Sequence, residues 1–365
     1  MTRPDNDGGR DMGGIGKAGF DRRGILRLGA LAAPALVATT GAQSQTRQIT
    51  VADPGGPFGE AYGKAFYRPF EQATGIRVVN VARAAEPTAQ FRAMVETRSY
   101  TWDCCILTLS ARDILAKQNL LEPIGLKPED APGMMPEALT PLWMGTDVYA
   151  TILAVRTDKL GGPAPASWAD LWDVAKFPGR RALRKDPIDT LEEALLADGV
   201  PLDELYPLDL DRAFRSLDKI KPHVAAWWTG GAQATQMLQS GEVAMIPTWN
   251  GRAQPVIDAG GPVKIVWNQG LYSIEGWGIP RGSPRADAAR QFIRFCSDPQ
   301  RQAVYTEALA YGPTNLKAYD HIPAARASLL PTHPDNLKVM RLANEDWWSA
   351  NRAAATERFN AWVLR

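Results

Sequence analysis

From residue 48 to about residue 118 the apolar positions switch repeatedly between a rhythm of two and a rhythm of three to four. Ile49–Ala52 in "RQITVADPGG" reads as a short strand, and Gly55-Gly56 open the turn that follows. Phe58 to Gln72 carries apolar residues at helical spacing, and "IRVVNVA" returns to strand. The helix "PTAQFRAMVETR" then leads into the strand "DCCILTL", and the helix "ARDILAKQN" closes the stretch. This β-α-β-α-β order predicts a largely parallel sheet with helices on both faces. Ligands of such open sheets sit beyond the carboxyl ends of the strands, which places Asp53–Pro57 and Thr108–Ser110 at the edge of a cleft.

A second unit of the same kind begins near Leu153. "SWADLWD" starts a helix on a serine cap, and "FPGRRALRKDP" carries a turn into a strand. Helices "TLEEALLADG", "LDRAFRSLDKIK" and "GAQATQMLQSG" precede the strand "EVAMIPTW". The strand "VKIVW" and the segment "YSIEGWGIP" come next, then two helices and a helical C-terminal stretch with Trp347, Trp348 and Trp362. Without a repeat or a low-complexity linker, the two units are expected to face each other across a cleft, joined by more than one crossing.

Composition adds a leader. Residues 21–27, "DRRGILR", precede the apolar small-residue run "LGALAAPALVATTGA". Paired arginines, a short apolar segment and a small-residue end describe a twin-arginine export signal over residues 1–42, with cleavage after Ala42. The leader lacks a cysteine at that point, so a free periplasmic protein is expected rather than a lipid-anchored or membrane-spanning one. The chain has 41 lysine and arginine residues against 40 aspartates and glutamates, which offers no general attraction to nucleic acid or anionic lipid. Cys104, Cys105 and Cys296 are too few for a disulfide framework and read as buried apolar positions. The histidines are scattered, so neither a metal site nor a cofactor is expected.

The candidate chemistry lies elsewhere. "PTWNGRA" (Pro247–Ala253) sets Trp249, Asn250 and Arg252 at the end of a buried strand, where the core has no use for polar groups. "KDPIDTLEEAL" places Asp186 and Asp189 at the head of a helix, where capping is the plainer role. Serine-nucleophile and phosphate-loop motifs are absent, which argues against an enzyme.

In order and spacing these pieces resemble one family. "PFEQATGIRV", "YTWDCCI", "SWADLWDVAKFPGRRAL", "LQSGEVAMIPTWNGRA", "WGIPRGSPRADAARQFIRF" and "YGPTN" are similar to the periplasmic solute-binding proteins of ABC importers, of spermidine/putrescine-binding type. The resemblance implies a two-lobe α/β fold of the type II periplasmic-binding class that closes on one small ligand. It implies an N-terminal lobe of residues 47–152 and 275–325 and a C-terminal lobe of 153–274 and 326–365, with hinge crossings near 152–156 and 270–275. The implied partners are a small amine or amino acid and a membrane permease, with the binding protein itself a monomer.

Carried over, the amine site falls on Asp186, Asp189, Trp249, Glu275 and Tyr311, with a polar position near Trp348. Carboxylates would offset the desolvation of an ammonium, and an aromatic face would add about 0.5–2 kcal/mol of cation–π attraction. The chain departs from the family at Pro54-Gly55-Gly56, Ser110 and Ser273, where long-polyamine binders stack aromatic rings. Arg252 would repel an amine unless it braces Asp186 or Glu275, or grips a ligand carboxylate. Gly55 and Gly56, ahead of a helix, could meet the same anion through backbone N–H groups. A cationic amine is therefore the first expectation, and an ω-amino acid such as 4-aminobutyrate the alternative.

Overall fold

The computed structural model describes residues 47–84 and 87–365, so the leader assigned to residues 1–42 lies outside the described residues. In chain order the main strands are β1 (Gln48–Asp53), β2 (Arg77–Ala82), β3 (Cys104–Thr108), β4 (Trp143–Arg156), β5 (Arg181–Arg184), β6 (Val224–Trp228), β7 (Met245–Trp249) and β8 (Val263–Pro280). They form one continuous sheet in the order β2-β1-β3-β8-β4-β7-β5-β6. Three strands at each end pair in parallel, β1 with β2 and β3, and β5 with β6 and β7. This is the parallel pairing that the β-α-β order requires.

Between these ends run β4 and β8, the two longest strands, paired antiparallel. The last part of β8 pairs with β3 through Glu275↔Thr108, whereas the last part of β4 pairs with β7 through Thr151↔Trp249. Each long strand thus belongs to both ends of the sheet. Sequence reading separated "VKIVW" from "YSIEGWGIP" because polar residues interrupt the alternation at Asn268-Gln269-Gly270. The structure joins them into one strand whose register slips at two places, between Val266 and Leu271 and between Glu275 and Gly276. Such irregularities bend a strand and re-aim its side chains.

The principal helices are α1 (Pro57–Tyr62), α2 (Thr88–Thr97), α3 (Leu109–Lys117), α4 (Trp168–Trp172), α5 (Pro187–Ala197), α6 (Leu210–Ile220), α7 (Gly231–Ser240), α8 (Asn250–Asp258), α9 (Ala286–Cys296), α10 (Pro299–Ala308) and α11 (Glu345–Val363). The helix expected over Phe58–Gln72 is present but changes pitch, with a π segment at Gly63–Tyr67 before Arg68–Thr74. Pro69 explains the change, since it lacks an N–H and its ring clashes with the carbonyl four residues earlier.

Separate apolar layers cover the two faces at each end. Tyr62, Phe66, Phe70, Trp277 and Phe292 pack on one face of the β1 end, and Phe91, Trp102 and Leu107 on the other. At the β5 end, Trp168, Leu191, Phe214, Trp348 and Phe359 cover one face, and Ile152, Trp228 and Ile246 the other. Trp172 and Trp227 are partly buried against the first of these layers. Cys104, Cys105 and Cys296 are buried free thiols. The mixed α/β architecture with a large sheet flanked by helices is the fold class that the sequence implied.

Candidate ligand-binding site

A cavity of about 320 Å³ lies where the carboxyl ends of β1, β3 and β7 meet the irregular part of β8. Pro54, Thr108 and Ser110 line it from the β1 end of the sheet, and Arg184, Ile188, Asp189, Trp249 and Arg252 from the β5 end. Leu271–Ser273 and Glu275 of β8 contribute the floor, and Glu345 and Arg352 enter from α11. Most of the residues singled out in the sequence meet here. Their partners decide what each can do.

Asp189 faces the cavity from a break in α5. Its backbone has φ 69° and ψ −48°, and Ile188 before it is extended at ψ 137°. That is the γ-turn region, rare and costly for any residue but glycine, at roughly 1–3 kcal/mol. The bend aims the carboxylate at Arg184, whose Nη1 donates to Oδ2 at 2.9 Å. Burial raises the Asp189 pKa, against the pull of Arg184. Asp186 does not line the cavity. It caps α5, accepting from the Ile188 N–H at 2.9 Å, and lies 3.6 Å from the Arg184 guanidinium. Capping is what a carboxylate just before Pro187 at a helix start does best.

Glu275 lines the cavity beside the register slip of β8, and Arg83 Nη2 lies 3.2 Å from its Oε1. Trp249 presents its ring, but the Arg184 guanidinium lies 5.0 Å from its centroid, and Trp228 meets it edge-on at 5.6 Å. Asn250, next in "PTWNGRA", is structural. Its Oδ1 accepts from Ala150 N at 3.0 Å and its Nδ2 donates to Ala310 O, tying β4 to the segment that delivers Tyr311.

Tyr311 is buried, packed edge-to-face with Phe58 at 5.3 Å and tilted against Tyr149 at 5.9 Å. Burial pushes its pKa up, while the nearby Arg252 charge pulls it down. Arg252 itself makes no side-chain hydrogen bond or ion pair among the described residues, and its buried Nε has no partner. Neither of the carboxylates offered as its brace is bound to it, because Arg184 takes Asp186 and Arg83 takes Glu275. Arg252 rests over Gly231, where a Cβ would stand 2.5 Å from Nε.

Thr108 lines the cavity and caps α3, accepting from Ala111 N at 3.2 Å, and Ser110 lies beside it. Gly55 and Gly56 lie outside the lining, and the Gly55 N–H already donates to Asp53 Oδ1 at 2.7 Å. Asp53 also takes the Tyr67 hydroxyl at 2.6 Å and Asn80 Nδ2 at 2.7 Å, so this turn is held internally. Trp348 is outside as well, 1% exposed in the core with Nε1 donating to Glu192.

Sequence reading missed Arg83, Arg184, Tyr149, Glu345 and Arg352. Only Arg184 left a local signal, as the last residue of a strand that runs beside β7. Glu345 opens α11 and accepts the Ser273 hydroxyl at 3.2 Å. No lysine or arginine lies within ion-pair distance of it among the described residues. Burial lifts its pKa to about 7. The lining thus offers aromatic edges flanked by charges, most of them already matched, which suits a short polar molecule.

A family model for bacterial extracellular solute-binding proteins matches residues 65–332. The gamma-aminobutyric acid-binding protein of Pseudomonas aeruginosa is 36% identical over 332 residues, 89% of this chain and 93% of that protein. The spermidine/putrescine-binding periplasmic protein of Escherichia coli is 24% identical over 297 residues, 79% of this chain and 83% of that protein. The structure of an ABC transporter substrate-binding protein from Bradyrhizobium japonicum superposes with a TM-score of 0.80 at 36% identity, covering 87% of this chain and 99% of that one. A GABA receptor structure superposes with a TM-score of 0.78 at 32% identity, covering 87% and 98%. Among the described residues no helix is long and apolar enough to cross a membrane.

Proposed function

We propose that this chain, which belongs to the bacterial extracellular solute-binding proteins, captures a small ω-amino acid such as 4-aminobutyrate. It is the solute-binding component of an ABC transporter and, like its relatives, a binding protein and not an enzyme. The observation that carries the ligand is Arg252, a cavity-lining guanidinium without an anionic partner among the described residues. A half-buried guanidinium with a buried, unpartnered Nε calls for a carboxylate, and its planar fork suits one in bidentate fashion.

The same geometry weakens the cationic amine that the resemblance first implied. Asp186, Asp189 and Glu275 are each matched by an arginine, and one face of Trp249 is covered by Arg184. A diamine would find those three carboxylates neutralised and would face Arg252 besides. The relatives point the same way, since the protein named for gamma-aminobutyric acid is 36% identical and the one named for spermidine and putrescine is 24% identical.

In this reading the twin-arginine leader of residues 1–42 delivers the protein to the periplasm, where it acts as a monomer. The β4–β8 pair serves as the hinge between lobes of residues 47–152 with 275–325 and 153–274 with 326–365. Closure traps the ligand between Arg252 and the β1 end, and the closed form hands it to the permease. Thermal-shift titration of the mature protein with 4-aminobutyrate, putrescine and spermidine tests the reading. A ligand at a hundredfold excess over Kd stabilises by about 2.7 kcal/mol. Stabilisation by 4-aminobutyrate alone supports the proposal, and stabilisation only by the diamine or polyamine refutes it.

A further inference from the structure

Arg252 has a counterpart of opposite sign. Glu345 lines the same cavity, its Oε1 accepts one hydrogen bond from the Ser273 hydroxyl, and no cation is paired with it among the described residues. The other lining carboxylates, Asp189 and Glu275, are held by Arg184 and Arg83. We propose, building on the ω-amino acid reading, that Glu345 receives the ligand's ammonium group while Arg252 receives its carboxylate. The span between these two side chains then sets the ligand length, and the carboxylates that the family resemblance nominated act as partners of arginines.

The surroundings of Glu345 make this contact sensitive to pH. Asp189 on α5 and Asp113 on α3 disfavour its ionisation, and Arg352, two turns along α11, favours it. Arg112 is spent on Asp113 at 2.6 Å, Arg341 on the Leu202 carbonyl at 2.8 Å, and Asp346 on Lys117 at 3.6 Å. Tyr149, across the cavity, has its own pKa raised by burial and by the charges of Glu275, Glu345 and Asp189. The first turn of α11 favours a carboxylate there, but burial wins and holds its pKa near 7. An ammonium arriving beside it lowers that pKa, so binding releases a proton at pH 6–7. Affinity consequently rises with pH through neutrality, by about tenfold between pH 6 and pH 8 when the bound group stays ionised.

Position in the fold gives the contact a further consequence. α11 packs its body into the β5 end through Trp348, Phe359 and Trp362, while its first turn reaches α3 of the β1 end. A ligand held by Glu345 is therefore in contact with a long helix that touches both ends.

Calorimetry with 4-aminobutyrate, in two buffers of different ionisation enthalpy and at pH 6, 7 and 8, is the test. Wild type should bind with proton release near pH 6.5 and an affinity that rises about tenfold over this range. Glu345→Gln should bind at least tenfold more weakly at pH 8, with neither proton release nor pH dependence, while Glu345→Asp keeps part of both. Wild type that binds 4-aminobutyrate without proton release, or Glu345→Gln within twofold of wild type, overturns the role of Glu345 and leaves the ω-amino acid reading standing. Wild type that fails to bind 4-aminobutyrate at all overturns that reading and this inference with it. The proton count is read on wild type, so the outcome does not depend on the variant folding.

Discussion

The guanidinium of Arg184 lies 5.0 Å over the ring of Trp249 and donates to Asp189 at 2.9 Å, so one residue occupies two features that an amine would need. Ring face and carboxylate are already satisfied by a protein cation, and the side chains of Arg184 and Asp189 are largely removed from water. The sheet explains how they meet. β5 ends at Arg184 and β7 ends at Trp249, both running parallel into the cleft.

Replacing Arg184 by Gln should accordingly change both stability and selectivity. Asp189 would keep its buried position without a cation, at a cost of roughly 2–4 kcal/mol after allowing for its partial exposure. Urea denaturation would read this as a lower midpoint with an unchanged slope. The vacated ring and carboxylate should also raise putrescine affinity above that of wild type. An unaltered midpoint would mean that the Arg184–Asp189 pair contributes nothing to folding.

Arg252 gives the sharper binding test. Arg252→Gln should weaken 4-aminobutyrate by about 2–4 kcal/mol, the range for removing one partner of a desolvated charge pair. Arg252→Lys should fall between, since an ammonium keeps the charge and loses the fork. Stability without ligand should hold or rise, because the arginine has no hydrogen-bond or ion-pair partner among the described residues. Retention of full affinity in Arg252→Gln would place the ligand's carboxylate elsewhere.

The sequence exposed the scaffold of this site better than its chemistry. Strand ends and helix starts followed from local rhythm, so Thr108, Ser110, Trp249 and Arg252 fell at strand ends by position, whereas Asp189 came to the site only through the family resemblance. Charge pairing is not local. Arg83 and Glu275 are 192 positions apart, and their neutralisation of each other leaves no trace in either segment. Asp186 and Asp189 look alike in "KDPIDT", yet one caps a helix and the other is thrown into the cavity by a backbone bend. Glu345 sits in "NEDWW" among ordinary helix-start residues, and only the approach of β8 through Ser273 distinguishes it.

Tyr311 can occupy the cavity wall only because residue 251 is glycine. A Cβ there would stand 2.3 Å from Cε1 of the Tyr311 ring, so Gly251→Ala must displace it. Overpacking of this kind costs about 1–3 kcal/mol, and the displaced ring should weaken ligand binding in parallel. Adding Tyr311→Ala removes the clash, so the stability effects in the double variant should be strongly non-additive. Additive effects would mean that the ring does not rest on Gly251.

Outside the cavity, a buried carboxylate on α5 is also set to titrate near neutrality. Glu192 is 1% exposed on α5, and Oε1 accepts from both Tyr206 Oη at 2.7 Å and Trp348 Nε1, while Oε2 has no partner. Burial raises its pKa to about 8, against the two donors. An arrangement with both donors on one oxygen suits a neutral acid whose proton resides on the other. Because the folded pKa lies above the unfolded value, the folded state holds an extra proton between about pH 4.5 and pH 8. Stability from this group is therefore fully present below pH 4.5 and is lost as pH rises through 8, with a slope of up to about 1.4 kcal/mol per pH unit. Glu345 contributes in the same direction, so the informative quantity is a difference between variants. Glu192→Gln keeps an acceptor for both donors and cannot ionise, at the cost of a buried amide N–H₂. Its stability relative to wild type should accordingly improve by several kcal/mol between pH 5.5 and pH 8.5, read from urea midpoints at each pH. A difference that stays constant across that range would show that Glu192 is ionised in the folded protein throughout, and that its two donors outweigh its burial.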